Sequence, residues 1–98
     1  MIFELHFSKE AKDKLKELKE NKGLAKRYKA VEKALKNLQR NLRHPSLQTH
    51  PYTSLNGPNG EKVFEAYAEQ DTPSAYRIFF CYGPLRGTIM ILTIVPHP

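Results

Sequence analysis

The chain has 98 residues, a net charge of +6 and one cysteine. A length of this order corresponds to a small domain with one hydrophobic core, so we expect residues 1–98 to form a single domain. Cys81 alone cannot form an internal disulfide and fits a reducing, cytoplasmic setting. We expect no signal peptide and no membrane association, because the first segment carries Glu4 and His6 and no apolar run approaches the roughly 20 residues that span a bilayer.

The N-terminal part predicts a short strand followed by a helix. Residues 1–7 alternate between apolar and polar side chains, which is typical of a strand with one buried face. Ser8 is placed to cap the following helix, because its hydroxyl can accept a hydrogen bond from a free backbone N–H of the first turn. Gly23 is predicted to end this helix in the left-handed conformation that glycine adopts most readily.

A second helix is predicted over residues 24–42, where apolar residues recur on one side only, so that both helices must pack that side on another layer. Residues 9–43 hold 13 of the 16 Lys and Arg residues against five acids, a balance of +8. Such a surface attracts nucleic acid or an acidic partner protein. The alternative interpretation is a solvated surface that only keeps the protein soluble. The candidate contacts for RNA or a partner are Lys26, Arg27, Lys33, Arg40 and Arg43.

The C-terminal half predicts strands. In the connector of residues 44–60, rich in Pro, Ser, Asn and Gly, an edge strand is predicted over residues 49–55, where Pro51 has no N–H for pairing. Residues 62–98 contain three runs of β-branched and aromatic residues separated by turn residues, which predicts an antiparallel meander. The last run is apolar on both sides and predicts a central strand. The predicted fold class is α+β, with an antiparallel-rich sheet of four or five strands and the helical hairpin packed on one face.

Alternation also predicts the register of the meander. If the apolar residues of its first two strands share the buried face, Ala66 lies near Ile78, and Tyr67 lies across from Arg77 on the second face. In the last strand, we expect two different sets of residues on the two sides. One set is Ile89, Ile91 and Val95, and the other is Met90, Leu92 and Ile94.

Arg77 is the strongest candidate for chemistry. A guanidinium within an aromatic strand is costly to desolvate, so it either pairs with an acid, Glu65 or Glu69, or binds an anionic ligand. His97 is predicted on the same face as Arg77, where an imidazole can transfer protons near neutral pH. The alternative for His97 is a frayed position near the end of the chain without a role.

Two further side chains on this face carry candidate roles. Tyr67 can stack on a base or donate a hydrogen bond to a phosphate, or it is an ordinary exposed strand residue. Glu65 can serve as a general base in hydrophobic surroundings, or it neutralises a neighbouring arginine. We expect no metal and no cofactor, because His44 and His50 do not have a zinc-site spacing and no glycine-rich phosphate loop or cysteine pair is present.

The order of these elements resembles the RelE/ParE family of bacterial type II toxins over essentially the whole chain. The motifs that carry the resemblance are FEAYAE at residues 64–69, AYRIFFCY at residues 75–82 and THPYTSLNG at residues 49–57. The resemblance implies a single RelE/ParE-like domain that acts in the cytoplasm as a metal-independent endoribonuclease. Such a protein enters the ribosomal A site, cuts mRNA there and is neutralised by an antitoxin protein.

The resemblance also implies roles for individual residues. In such enzymes the 2′-hydroxyl of the RNA attacks the adjacent phosphate, which Arg77 would hold, while His97 would protonate the leaving oxygen or take the attacking proton. Two departures stand out: Ala66 and Tyr67 occupy positions where many members have a second arginine after the glutamate, and Pro51 replaces a lysine after the connector histidine. A gyrase-directed toxin and a non-catalytic binding protein of the same fold are the alternatives.

Overall fold

The computed structural model describes residues 2–97, which form two α-helices and a five-stranded sheet. The predicted α+β class is confirmed. Met1 and Pro98, which we assigned to the first strand and to the end of the meander, lie outside these residues. The elements in chain order are β1 (Glu4–Phe7), α1 (Lys9–Glu20), α2 (Ala25–Arg40), β2 (His50–Asn56), β3 (Lys62–Tyr67), β4 (Tyr76–Tyr82) and β5 (Thr88–Pro96).

The sheet has the strand order β1-β5-β4-β3-β2. Strands β3 to β5 pair in antiparallel fashion, as the meander predicts. β2 also pairs antiparallel with β3, whereas β1 lies parallel to β5 at one edge. β5 therefore has a neighbour on each side, in agreement with its two apolar faces. β2 forms the opposite edge, where Pro51 is tolerated.

Polar side chains fix both ends of α1. Ser8 Oγ accepts a hydrogen bond from the Ala11 N–H at 3.0 Å and donates one to the Leu92 carbonyl at 2.7 Å, so the N-cap also ties α1 to β5. The prediction for Gly23 is wrong: Asn21 ends the helix and its side chain accepts from the Gly23 N–H, which places Gly23 in a short 3₁₀ turn. Within residues 2–97, neither helix is long and apolar enough to cross a membrane.

The main hydrophobic core lies between the hairpin and one face of the sheet. The predicted register of β3 and β4 is confirmed, with Ala66 opposite Ile78 on this face and Tyr67 opposite Arg77 on the other. The buried residues of the helices and the sheet form one cluster. Its members include Ala11, Leu18, Val31, Ala34, Leu35, Leu38, Ala66, Ile78, Phe80, Ile89, Ile91 and Ile94.

An irregularity in β5 changes which of its residues face the helices. Phe79 pairs with Thr93 but Phe80 pairs with Ile91, so the pairing shifts by one residue at Leu92. An extra residue of this kind reverses the alternation beyond it. The prediction for β5 is therefore wrong in its second half. Ile94 joins Ile89 and Ile91 on the helix face, whereas Thr93 and Val95 lie opposite Phe79 and Arg77.

The second face, opposite the helices, has its own buried centre. Val63, Phe79 and Cys81 alternate with the core residues of β3 and β4, yet each is at most 2% exposed. Tyr52 of the edge strand β2 reaches past β3 and packs edge-to-face on Phe79, with ring centres 4.7 Å apart. Residues of the second face are thus covered around Phe79, and Arg77, which lies on this face, is only 13% exposed.

The burial of Cys81 predicts that its thiol is unreactive in the folded protein. Burial, and secondarily the negative charge of Glu61, raises the pKa of the Cys81 thiol. Because the thiolate is the nucleophile, we expect iodoacetamide to modify the native protein at least about tenfold more slowly than the urea-unfolded protein. Mass spectrometry over time measures this ratio. Equal rates would show that the second face opens readily.

Candidate functional site

Glu65 is the centre of an ion-pair network on the second face. Its side chain is only 4% exposed, yet both carboxylate oxygens are bonded. Oε2 accepts a hydrogen bond from Arg77 Nη1 at 2.6 Å, and Oε1 lies 2.7 Å from His50 Nε2. The pairing of β2 with β3 places His50 directly opposite Glu65, while Arg77 reaches it diagonally from β4. We call these three residues the Glu65 network.

Both ring nitrogens of His50 face hydrogen-bond acceptors. Its Nε2 lies 2.7 Å from Glu65 Oε1, and its Nδ1 lies 2.7 Å from the backbone carbonyl of Gln48. A carbonyl and an ionised carboxylate only accept hydrogen bonds, so a ring with a proton on each nitrogen would complete both bonds. The His50 side chain is 43% exposed, so the network reaches the surface at this residue.

Arg77 is held in place from several sides. Its guanidinium lies 5.0 Å from the centre of the Phe79 ring, and its side chain is 13% exposed. Its Nε is buried and has no acceptor among residues 2–97. Of the two alternatives that the sequence left open, pairing with an acid occurs, and the acid is Glu65. Only part of the guanidinium is therefore accessible to a ligand.

A cleft of about 330 Å³ adjoins the network and contains two further predicted site residues. Tyr67 lines it, with its ring centre 5.8 Å from that of His50. His97 also lines it, and its backbone N–H donates to the Ala75 carbonyl at 2.8 Å, which keeps the end of β5 alongside β4. The described residues that line the cleft include no Lys or Arg. They are Gln48, Tyr67, Glu69, Gln70, Asp71, Thr72, Ser74, Ala75 and His97.

The five basic residues predicted to bind RNA or a partner separate into two groups. Lys26, Lys33 and Arg40 are exposed and follow one another at seven-residue intervals, which places them in one stripe along α2. Arg43 is exposed just beyond that helix. Arg27 differs, because its guanidinium is bonded to Glu69 and to backbone carbonyls of the segment between β3 and β4. It is not part of the exposed stripe.

Comparison with known proteins bears on the fold. No protein-family model and no curated protein matches the sequence. A chain of the archaeal RelE–RelB complex from Pyrococcus horikoshii OT3 is similar in structure, with a TM-score of 0.65 over 98% of this chain and 96% of that chain, at 16% identity. A YoeB/ParE toxin from Agrobacterium tumefaciens is also similar, with a TM-score of 0.69 over 97% of this chain and 99% of that chain, at 10% identity. This chain has the RelE/ParE toxin fold.

The similarity in fold concerns the backbone that carries the site. The chemistry of the site depends on the side chains of this chain. Sequence reasoning named Arg77, Glu65, Tyr67 and His97 but missed His50 as a site residue. Two signals were available: the histidine of the THPYTSLNG motif, to which no role was assigned, and the edge strand predicted around it, whose pairing partner was not specified. Within residues 2–97, no three His, Cys, Asp or Glu side chains are grouped so that they could hold a metal ion.

Proposed function

We propose that this protein is the toxin of a type II toxin–antitoxin pair and acts as a metal-independent, ribosome-dependent mRNA endoribonuclease. One observation supports this most directly. The Glu65 network lies beside a cleft that contains Tyr67 and His97, on the sheet face opposite the helices of a RelE/ParE toxin fold. Metal-free phosphate chemistry requires cationic and proton-transferring side chains in one small area, and in this proposal the Glu65 network and the cleft supply them.

The proposed reaction is a transesterification within the RNA chain. The 2′-hydroxyl loses its proton and attacks the adjacent phosphorus, the bond to the 5′-oxygen breaks, and that oxygen gains a proton. Arg77 and protonated His50 stabilise the negative charge that develops on the phosphate. His97 transfers a proton, either from the attacking hydroxyl or to the leaving oxygen. Tyr67 orients the RNA by stacking on a base or by donating to a phosphate oxygen.

Glu65 has a different role from the general base that its sequence context suggested. Its carboxylate is buried, and each of its oxygens is already bonded to one member of the network. It therefore does not reach the RNA itself. In this proposal Glu65 acts as a positioning residue that holds His50 and Arg77 at a fixed separation.

The exposed stripe on α2 supports a partner surface for this toxin. Lys26, Lys33, Arg40 and Arg43 would bind ribosomal RNA, mRNA or the acidic parts of a cognate antitoxin. The solved archaeal RelE is in complex with RelB, which supports an antitoxin as partner. The expected site of action is the cytoplasm, where ribosomes translate mRNA.

The composition of the cleft favours an alternative of another class. None of the described residues that line it is Lys or Arg, and Arg77 is already paired with an acid. A protein that only binds nucleic acid or protein through the basic hairpin needs no catalytic cation in the cleft. A gyrase-directed toxin of the same fold likewise needs no RNA-cleaving centre.

Controlled expression in a bacterium tests these functions against one another. We expect the wild-type chain to stop translation and growth, and primer extension to find new mRNA ends within translated codons. Growth arrest with intact mRNA and DNA-damage signalling would instead identify a gyrase-directed toxin. Normal growth, together with nucleic-acid binding that weakens steeply with salt, would identify a binding module.

A further inference from the structure

Arg27 connects the start of α2 to the segment of residues 69–75 between β3 and β4. Its Nη1 donates to Glu69 Oε1 at 2.8 Å and to the Ser74 carbonyl at 3.2 Å, and its Nη2 donates to the Pro73 carbonyl at 3.0 Å. The same Glu69 oxygen accepts the backbone N–H of Tyr76 at 3.0 Å. One guanidinium therefore fixes both ends of the segment, in the fork geometry that arginine provides and lysine does not.

The segment that Arg27 holds has an unusual backbone. Asp71 and Ser74 both have a φ of 55°, the left-handed region that residues other than glycine rarely occupy. Such conformations persist only where surrounding contacts enforce them. Besides Arg27, the contacts of this segment include the side chain of Gln70, which donates to the Ser46 carbonyl, and the Ala75 carbonyl, which accepts the backbone N–H of His97.

The same segment forms one wall of the cleft. It begins two residues after Tyr67, and it ends at Ala75, whose carbonyl accepts the backbone N–H of His97. We propose that Arg27 is a positioning residue: by holding residues 69–75, it fixes where Tyr67 and His97 stand relative to the Glu65 network. This inference rests on the proposed function and assigns to Arg27 a role other than binding RNA.

The contacts of Arg27 explain why it does not bind RNA directly. Its side chain is 26% exposed, its pairing partner Glu69 is 11% exposed, and both terminal nitrogens donate within the protein. Three of the five N–H groups of the guanidinium are used in these bonds, so a phosphate could bond Arg27 only through those that remain. Loss of Arg27 therefore changes the placement of proton-transferring groups rather than the number of phosphate contacts.

Cleavage kinetics in a purified translation reaction test this role. For Arg27→Ala we expect kcat to fall about tenfold with KM within about twofold, and the salt dependence of KM to stay unchanged. Arg27→Lys should recover part of kcat, because an ammonium group can hold Glu69 but not the whole segment. Lys29→Ala removes an exposed charge from the same helix and should leave both parameters unchanged.

Two results would overturn the proposal. If Arg27 contacts a phosphate directly, Arg27→Ala would raise KM and leave kcat intact. The slope of log KM against log salt concentration would then become shallower by about one unit. If Arg27 is purely structural, Arg27→Ala would lower the melting temperature and leave kcat and KM as in the wild type.

Hydrogen exchange separates the failure of this inference from the failure of the proposed function. In the free protein, the backbone amides of residues 69–76 should exchange at least about tenfold faster in Arg27→Ala than in the wild type or Lys29→Ala. If the wild type does not cut mRNA, the proposed function fails, and exchange alone decides whether Arg27 holds the segment. Unchanged exchange would overturn the inference in either case.

Discussion

Replacement of Arg77 by methionine is expected to lower the free energy of unfolding by about 3 kcal/mol, the lower end of the range for breaking a buried ion pair. The methionine cannot bond the buried Glu65, which keeps only His50 as partner. We also expect cleavage to fall by about 10²- to 10³-fold, because one of two phosphate-stabilising cations is lost. Urea unfolding and cleavage in a purified translation reaction measure the two effects.

A double variant separates the loss of activity from the loss of stability. Arg77→Met combined with Glu65→Leu replaces the buried pair by apolar side chains, which usually restores most of the stability. We expect this variant to unfold at nearly the urea concentration of the wild type and still not to arrest growth. Growth arrest by a folded double variant would exclude the Glu65 network from the reaction.

Replacement of His50 by glutamine is expected to reduce cleavage about 10²-fold or more while the fold stays intact. Glutamine can still hydrogen-bond Glu65 but carries no charge, so the expected loss reports on the imidazolium beside the cleft. The stability change should stay within about 3 kcal/mol, the upper end of the range for a hydrogen bond to a charged group. Cleavage assays and urea unfolding of the purified variant measure both quantities.

Two further variants decide what His50 contributes. His50→Lys keeps a positive charge at the edge of the cleft and should retain more activity than His50→Gln. His44→Ala removes a histidine of the same connector whose ring is bonded to Ser46 and which does not belong to the Glu65 network, so cleavage should be close to wild type. Equal activity of His50→Gln and the wild type would show that charge at position 50 is not needed.

Local patterns explain which parts of the fold the sequence predicted. The helical hairpin and the pairing of β3 with β4 depend on periodicity and on short connections, both of which the sequence displays directly. The register that opposes Tyr67 to Arg77 follows once the apolar residues of both strands share one face, since a slip by one residue would expose them.

The incorrect predictions depend on geometry that periodicity does not encode. The pairing of β5 with β4 shifts by one residue at Leu92, and this shift moves Ile94 to the helix face. The burial of Phe79 involves Tyr52 of β2, which lies two strands away from β4 in the sheet. His50 joins the network because β2 pairs with β3 so that His50 lies opposite Glu65. The register of this pairing shifts between Pro51 and Asn56, so the sequence alone does not show it.

The parallel pairing of β1 with β5 has a consequence for the order of events during synthesis. β1 is translated well before its partner strand β5, and the hydrogen bond from Ser8 likewise forms only after Leu92 has been synthesised. Contacts between such distant parts of a chain form late in folding. A nascent polypeptide that lacks β5 lacks a strand with a neighbour on each side and also lacks His97, so under the proposed function we expect a ribosome to be spared by this protein until β5 has been synthesised.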